Sequence, residues 1–222
     1  MKTKSVFSSS SWSIKKSKLA ICIPCRETLH SAHAMCLLEL VKFNTMNNID
    51  TQVFMDSSTV LLTQRERLAT MAVELDAEYI LWLDSDMTFP STTAVRLMSH
   101  NEDVVAANYV RRQLPAKGVA YEKIWDWHNP LSFDIQDKLI PVEGIGMGCM
   151  LMKTKIFKDI PKPWFEFQWT PETNDHLGED MVLCQKIAST GRTVKVDTVL
   201  SQELRHLGMW AFGPDLLKQF QQ

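Results

Sequence analysis

The sequence predicts an α/β fold: one domain with a mostly parallel central sheet, helices on both sides, and an antiparallel addition from the second half. Short all-apolar runs alternate with stretches of helical length through the first half of the chain. Such runs suit strands buried on both faces, and strands that alternate with helices form βαβ units. At 222 residues the chain is also long enough to bury one sizeable core without disulfides or structural metals.

The elements follow in order. Leu19 to Ile23 is an all-apolar strand ending at Pro24. A helix from Ser31 to Phe43 is expected, with Met35, Leu38 and Val41 on its apolar stripe. Thr51 to Met55 gives a second strand, which ends at Asp56. Leu61 to Leu75 reads as a second helix with Leu61, Leu68, Met71, Ala72 and Leu75 inward. Tyr79 to Leu83 is a third buried strand running straight into Asp84. Pro90 is expected just inside a third helix that continues to Met98, and Val104 to Ala107 supplies a fourth strand. Ligands of such sheets bind beyond the carboxyl ends of the strands, where Arg26, Glu27, Asp56, Asp84 and Asp86 collect.

After Arg112 the pattern changes. Gly144-Ile145-Gly146-Met147-Gly148 leads into an apolar strand, Cys149 to Met152. These glycines precede a strand instead of linking a strand to a helix, so they read as permitting close backbone approach near an acceptor, not as a dinucleotide loop. Trp164, Phe165, Phe167 and Trp169 fit either a sugar or base platform or core packing. A helix from Glu179 to Ser189 ends near Gly191, a C′ glycine, and Thr193 to Val196 is a last strand. The chain therefore divides into a basic, serine-rich arm over 1–17, a nucleotide-binding half over 18–112 and an acceptor-binding half over 113–222.

A net charge of −2 gives no global pull toward nucleic acid or an anionic membrane. No apolar stretch reaches the roughly 18 residues of a membrane span. Five scattered cysteines (Cys22, Cys25, Cys36, Cys149, Cys184) suit a reducing cytoplasm. Cys22-Ile23-Pro24-Cys25 has the spacing of a redox pair, but Cys22 falls inside a strand and not at a helix start, and no second ligand pair supports zinc.

Asp84-Ser85-Asp86 is the strongest signal. Two carboxylates at the end of a buried strand need a cation or hydrogen-bond donors to compensate them. Hard oxygen ligands suit Mg²⁺ or Mn²⁺, which commonly complete their shell with substrate phosphates. Asp84-Ser85-Asp86-Met87-Thr88 also fits the D-x-D-x-T nucleophile motif of haloacid-dehalogenase-like phosphatases, although that motif belongs on a first strand and two βα units precede it here.

Tyr79-Ile80-Leu81-Trp82-Leu83-Asp84-Ser85-Asp86 resembles the D-x-D strand of GT-A-fold, Rossmann-like glycosyltransferases, in particular small family-2-like members from bacteria and phage. The resemblance extends along most of the chain. Ile23-Pro24-Cys25-Arg26-Glu27 is similar to the first-strand loop that meets the nucleotide, and Asp56 to the acid placed against the base. Arg65 sits in a helix motif like the family's Arg-Asn pair, with Glu66 in place of Asn. Gly178-Glu179-Asp180 resembles the acidic motif beside the acceptor, and His206-Leu207-Gly208 the late histidine that completes the metal shell.

The resemblance implies a nucleotide-sugar donor, foremost a UDP-sugar, bound with Mn²⁺ or Mg²⁺. It assigns Asp84, Asp86 and His206 to the metal, with Pro24, Arg26, Glu27, Asp56, Arg65, Asp84 and Ser85 around the donor. Asp180, with Glu179 beside it, becomes the general base of an inverting transfer; helix capping is the plainer account of either acid. For the acceptor, a hydroxymethylated pyrimidine in phage DNA comes first and a saccharide next. The DNA reading draws on Arg111, Arg112, the lysine-rich arm and the stretch Lys153, Lys155, Lys158 and Lys162. A non-catalytic nucleotide-sugar-binding protein is the further alternative.

Overall fold

A computed structural model describes residues 18–126, 128–134, 139–171, 174–208 and 211–215. The expected arm, with Lys2, Lys4, Lys15 and Lys16, lies outside the described residues. In chain order the elements are β1 (Lys18–Cys25), α1 (Ser31–Met46), β2 (Asp50–Ser57), α2 (Leu61–Glu74), β3 (Tyr79–Leu83), β4 (Met87–Thr88), α3 (Thr93–Ser99) and β5 (Val104–Ala106). There follow β6 (Ala120–Tyr121), β7 (Leu139–Val142), β8 (Gly144–Ile145), β9 (Cys149–Lys153), α4 (Ile156–Asp159), β10 (Gln168–Thr170) and β11 (Asp175–Leu177). The chain closes with α5 (Glu179–Ser189), β12 (Val194–Asp197), α6 (Thr198–Ser201), β13 (Arg205–Leu207) and β14 (Ala211–Phe212).

Seven strands form the central sheet in the order β2-β1-β3-β9-β5-β12-β7. β2, β1 and β3 run parallel, as do β5 and β12, whereas β9 and β7 run antiparallel to their neighbours. The antiparallel addition is therefore inserted: β9, from the second half, lies between β3 and β5 of the first. Every residue of β3 is buried, and so are Leu19 to Ile23 in β1. This accounts for their unbroken apolar runs, since a central strand covered on both faces has no solvent side to alternate toward.

Three expectations about helices need correcting. On α1 the buried positions are His33, Leu37, Leu40 and Asn44, while Met35 and Leu38 face solvent. Apolar residues occur all round this helix, so hydrophobicity alone does not select a face. Asn44 goes inward because its amide donates to Thr51 Oγ1, at 3.2 Å, and His33 because its ring bonds the backbone of β4. On α2, Leu68 and Ala72 are inward as expected, but Leu61 and Met71 are exposed and Gln64 and Arg65 are buried in their stead. Pro90 precedes α3 and does not open it; its carbonyl accepts bonds from the Thr93 amide and hydroxyl.

Candidate active site

The carboxyl ends of β1, β2 and β3 lie side by side because the register pairs Pro24 with Asp56 and Cys22 with Trp82. Gln64, buried on α2, ties two of these ends together: its amide donates to Cys25 O at 2.5 Å and to Asp56 O at 2.7 Å. Asp56 carries an ion pair to Arg67 at 3.6 Å. Arg26 and Glu27 are exposed in the loop after β1, open to a ligand.

Beyond β3 the chain turns sharply. The Met87 amide donates to Asp84 O at 3.1 Å, closing a turn that carries Asp84, half-buried Ser85 and Asp86. β4 then pairs antiparallel with β13, which sets His206 opposite Met87 and lets the Leu207 amide donate to Asp86 O at 2.6 Å. A histidine more than a hundred residues away in sequence is thus delivered to the D-x-D turn by two short strands.

Asp86 meets Arg112 Nη1 at 3.0 Å and His206 Nε2 at 3.4 Å. Burial pushes the Asp86 carboxyl up, but the bond and charge of His206, with the charge of Arg112, outweigh it and hold it below the usual carboxylate range. The other nitrogen of His206 lies 3.0 Å from Val110 O. A carbonyl only accepts, so Nδ1 carries the proton and Nε2 faces Asp86. With a second proton on Nε2 the ring is the imidazolium that bonds Asp86; without it, the Nε2 lone pair and the carboxylate face each other across a gap that a cation would fill. A nitrogen and an oxygen set together in this way are a donor pair suited to Mn²⁺ or Mg²⁺ completed by phosphate oxygens.

Asp84 is directed elsewhere. Its Oδ1 accepts from Arg65 Nη2 at 3.2 Å, and Arg65 Nη1 donates to Glu179 Oε1 at 2.5 Å. Arg65 is buried, and although burial works against its charge, Asp84 and Glu179 more than compensate and raise its pKa. The expected ligand set Asp84, Asp86 and His206 is therefore assembled only as the pair Asp86–His206. Among the described residues no three His, Cys, Asp or Glu side chains converge as a metal cage.

Glu179 and Asp180 open α5, behind the cap residue Gly178. They differ in environment. Glu179 is buried against Arg65, whereas Asp180 is half-buried and, among the described residues, bonds only the adjacent amide of Met181, at 2.8 Å. Burial and the neighbouring Glu179 charge raise the Asp180 pKa to about 6, against the pull of Arg65. Glu66 is not part of this site, since its carboxylate accepts from the Trp164 and Phe165 amides and anchors that loop.

Sequence reasoning missed Tyr109. Its ring is buried edge-on to His206, with centroids 5.4 Å apart, and its hydroxyl accepts from the Gly148 amide at 3.2 Å. Burial, together with the Asp84 and Asp180 charges, raises its pKa well above the ordinary phenol value. The glycine run does serve close approach, but to this tyrosine: a Cβ on Gly146 would lie 2.5 Å from the Tyr109 hydroxyl, and one on Gly148 2.7 Å from its ring. The four aromatics also separate. Trp164 and Phe165 belong to the core, while Phe167 and Trp169 are 53% and 50% exposed and both pack edge-on to His176. Neither cysteine of the Cys22–Cys25 pair is poised for redox work, because burial raises the pKa of both.

A mostly parallel sheet with an inserted antiparallel strand, and a D-x-D turn at the end of β3, define a fold of the GT-A glycosyltransferase kind. No protein-family profile matches the chain, and no curated protein sequence matches it. Solved structures do. A197 from STIV aligns with a TM-score of 0.59 and 20% identity over 90% of this chain and 91% of its own. A mutant Drosophila β-1,4-galactosyltransferase 7, solved with manganese, UDP-galactose and xylobiose, aligns with a TM-score of 0.50 and 13% identity over 86% of this chain and 71% of its own. At these identities the likeness is one of fold. Asp84-Ser85-Asp86 follows β3, with β1, α1, β2 and α2 before it, whereas the phosphatase motif belongs on a first strand.

Proposed function

We propose that this chain is a metal-dependent glycosyltransferase that moves a sugar from a nucleotide-sugar donor, foremost a UDP-sugar, to an acceptor hydroxyl. The observation that carries this reading is Arg65, which joins the D-x-D turn to the acids of α5 through one buried guanidinium. Donor-side and acceptor-side chemistry are thereby held at one sheet edge. Asp86 and His206 are the residues that would hold Mn²⁺ or Mg²⁺, which when bound supplies Lewis-acid stabilisation of the departing diphosphate. That the Drosophila enzyme was solved with manganese and UDP-galactose supports this pairing of metal and donor class.

The chain's own residues divide the remaining work. Pro24, Arg26, Glu27 and Asp56 border the nucleotide. Ser85 and Asp84 meet the donor beside the metal, with Asp84 oriented by Arg65. Asp180 takes the proton of the acceptor hydroxyl as its oxygen bonds the anomeric carbon and the sugar–phosphate bond breaks, which inverts that carbon. Glu179, neutralised by Arg65, is a weaker candidate for a base than its neighbour.

For the acceptor a saccharide is the better reading. Lys153 sits opposite Tyr79 at the start of β3, the sheet edge away from Asp84. Lys153 and Lys155 both pair with Asp103, and Lys162 pairs with Glu66. Near the site, Arg112 is engaged by Asp86, and Arg111 donates to the Tyr121 hydroxyl. Among the described residues, the basic side chains that suggested a DNA acceptor are thus taken up by these partners. Phe167 and Trp169, on the hairpin that leads into Asp180, offer the stacking surface a sugar ring uses. We place the protein in a reducing cytoplasm on its five free cysteines.

The test is a thermal-shift screen of nucleotide-sugars with Mn²⁺ and with EDTA. Stabilisation by one donor in Mn²⁺ alone is expected and would name nucleotide and sugar together. A flat response to every donor in either condition would sink the reading. Donor binding with neither hydrolysis nor transfer would leave a binding protein.

A further inference from the structure

We infer that His33, on α1, is a positioning residue for the D-x-D turn and sets its metal affinity without touching the ion. This rests on the metal reading of Asp86 and His206. His33 is fully buried, and its Nδ1 lies 2.9 Å from the carbonyl of Met87, the residue that follows Asp86. Since the carbonyl can only accept, Nδ1 holds the proton. Nε2 is then left as an acceptor, and it is buried with no partner among the described residues. Burial lowers the His33 pKa despite the Met87 bond and the charges of Asp86 and Asp84, which fits a neutral ring. Phe89 packs edge-on to that ring, with centroids 5.5 Å apart, and fixes its orientation.

An unpartnered buried nitrogen is a cost that a leucine or methionine here would avoid. What the imidazole supplies is one directed bond, and its target matters. Three carbonyls govern the turn. Asp84 O accepts the turn's own Met87 amide, Asp86 O accepts the Leu207 amide of β13, and Met87 O accepts His33. The turn is thus held from one side by the strand that carries His206 and from the other by the helix that follows the Arg26–Glu27 loop. Without His33 the Met87 carbonyl loses its side-chain donor, and the turn is held only by its own Asp84–Met87 bond and by β13. Asp86 and His206 are then held less tightly at the separation that lets them share one ion. Outer partners of this kind cost about 10- to 100-fold in metal affinity when removed.

The experiment compares wild type, His33→Ala and His33→Asn, whose amide donor falls near the position of Nδ1. UDP affinity is titrated in Mn²⁺ and in EDTA, and amide exchange is followed over the 84–88 segment. His33→Ala is expected to lose about tenfold or more of the Mn²⁺-dependent affinity. It should keep the metal-free affinity and exchange faster at the turn, while His33→Asn restores both. Unchanged Mn²⁺ dependence and exchange in His33→Ala overturn the inference. So does an Asn variant as impaired as the Ala one. Should His33→Ala fail to fold, His33→Asn and His33→Leu are compared by the same two readouts. A wild type with no Mn²⁺-dependent UDP affinity removes the metal reading instead, and turn exchange in the variants then decides whether His33 pins the turn.

Discussion

Glu179 and Arg65 form a buried ion pair, 2.5 Å apart, although their positions are more than a hundred residues distant in sequence. The pair explains why two adjacent acids at one helix start have different chemistry. Glu179 neutralises a guanidinium that also holds Asp84, so its charge is part of the scaffold. Among the described residues Asp180 has no such ion pair, and burial with the Glu179 charge raises its pKa to about 6.

Substitution should separate the two. Glu179→Gln leaves Arg65 with one counter-charge fewer inside the protein, and breaking such a pair typically costs about 3 kcal/mol. A melting temperature lower by several degrees is expected, since each kcal/mol is worth about 2–4 °C at this size. Asp180→Asn should instead reduce transfer by about 10²- to 10⁴-fold with donor affinity preserved. Melting curves and single-turnover assays on both variants check this. Equal loss of transfer from both, with equal loss of stability, would return Asp180 to a capping role.

The raised Asp180 pKa has a definite pH consequence. A general base must be ionised, so transfer should fall as pH drops through about 6 and level off above it. For stability the direction is opposite. The folded state holds this proton more tightly than the unfolded chain, whose carboxyl titrates near about 3.9. Ionised Asp180 therefore destabilises the fold above about 6. Asp180→Asn should melt higher than wild type at neutral pH, with the advantage shrinking through this window and gone at lower pH. Melting temperatures across pH 3.5 to 8 (an interval set roughly by those two pKa values) read it directly, and a pH-independent difference would count against the assignment.

Metal dependence isolates Asp86 and His206 in the same manner. Asp86→Ala should lower activity by about 10²- to 10³-fold and weaken nucleotide binding in Mn²⁺ but not in EDTA. His206→Ala should do likewise to a lesser degree, because Asp86 keeps its contact with Arg112. Calorimetric titration of UDP under both conditions is the measurement. A Mn²⁺ response unchanged in His206→Ala would reduce that histidine to its structural bond with Val110.

How far the sequence reveals this site depends on the kind of signal. β3 and α5 begin and end where their residues suggest, because an unbroken apolar run and a glycine-bounded amphipathic stretch depend on local chemistry. Gly191 does adopt a positive φ, of 78°, one residue past the C-cap of α5. The inward faces of α1 and α2 are legible only in part, at Leu68 and Ala72, since Asn44, Gln64 and Arg65 are buried by partners supplied from other elements. Tyr109 and His33 carry no local pattern at all. Their meaning comes from Gly148 and Met87, which only the folded chain brings to them.

Tyr109 and Gly146 offer a packing test. Gly146→Ala drives a methyl into the Tyr109 hydroxyl, and overpacking of this sort costs about 1–3 kcal/mol. The next contacts, at 3.2 and 3.3 Å, need only small shifts. Adding Tyr109→Phe should therefore recover part of the loss, although the Gly148 amide then lacks its acceptor. Additive losses in the double variant would mean that the hydroxyl is not the obstacle. Gly148→Ala meets ring carbons, so Tyr109→Phe should not rescue it.

The acceptor is tested through Phe167 and Trp169. Both rings contact His176 from one side of the β10–β11 hairpin, and the chain passes from β11 through Gly178 directly to Glu179 and Asp180. Half-exposed aromatics are costly on a surface with no ligand to cover them, and a sugar's C–H face covers such rings well. Trp169→Ala and Phe167→Ala should raise KM for a saccharide acceptor about 5- to 10-fold, as the loss of roughly 1 kcal/mol of ring contact implies. Donor hydrolysis and UDP affinity should stay the same, because both rings pack on His176 and the substitutions leave Asp84, Ser85 and Asp86 in place. A panel of mono- and disaccharide glycosides, assayed beside plain and hydroxymethylated DNA duplexes, distinguishes the two acceptor classes. Transfer to the hydroxymethylated duplex alone, indifferent to both aromatic substitutions, would restore the DNA reading and leave the hairpin with no part in acceptor choice.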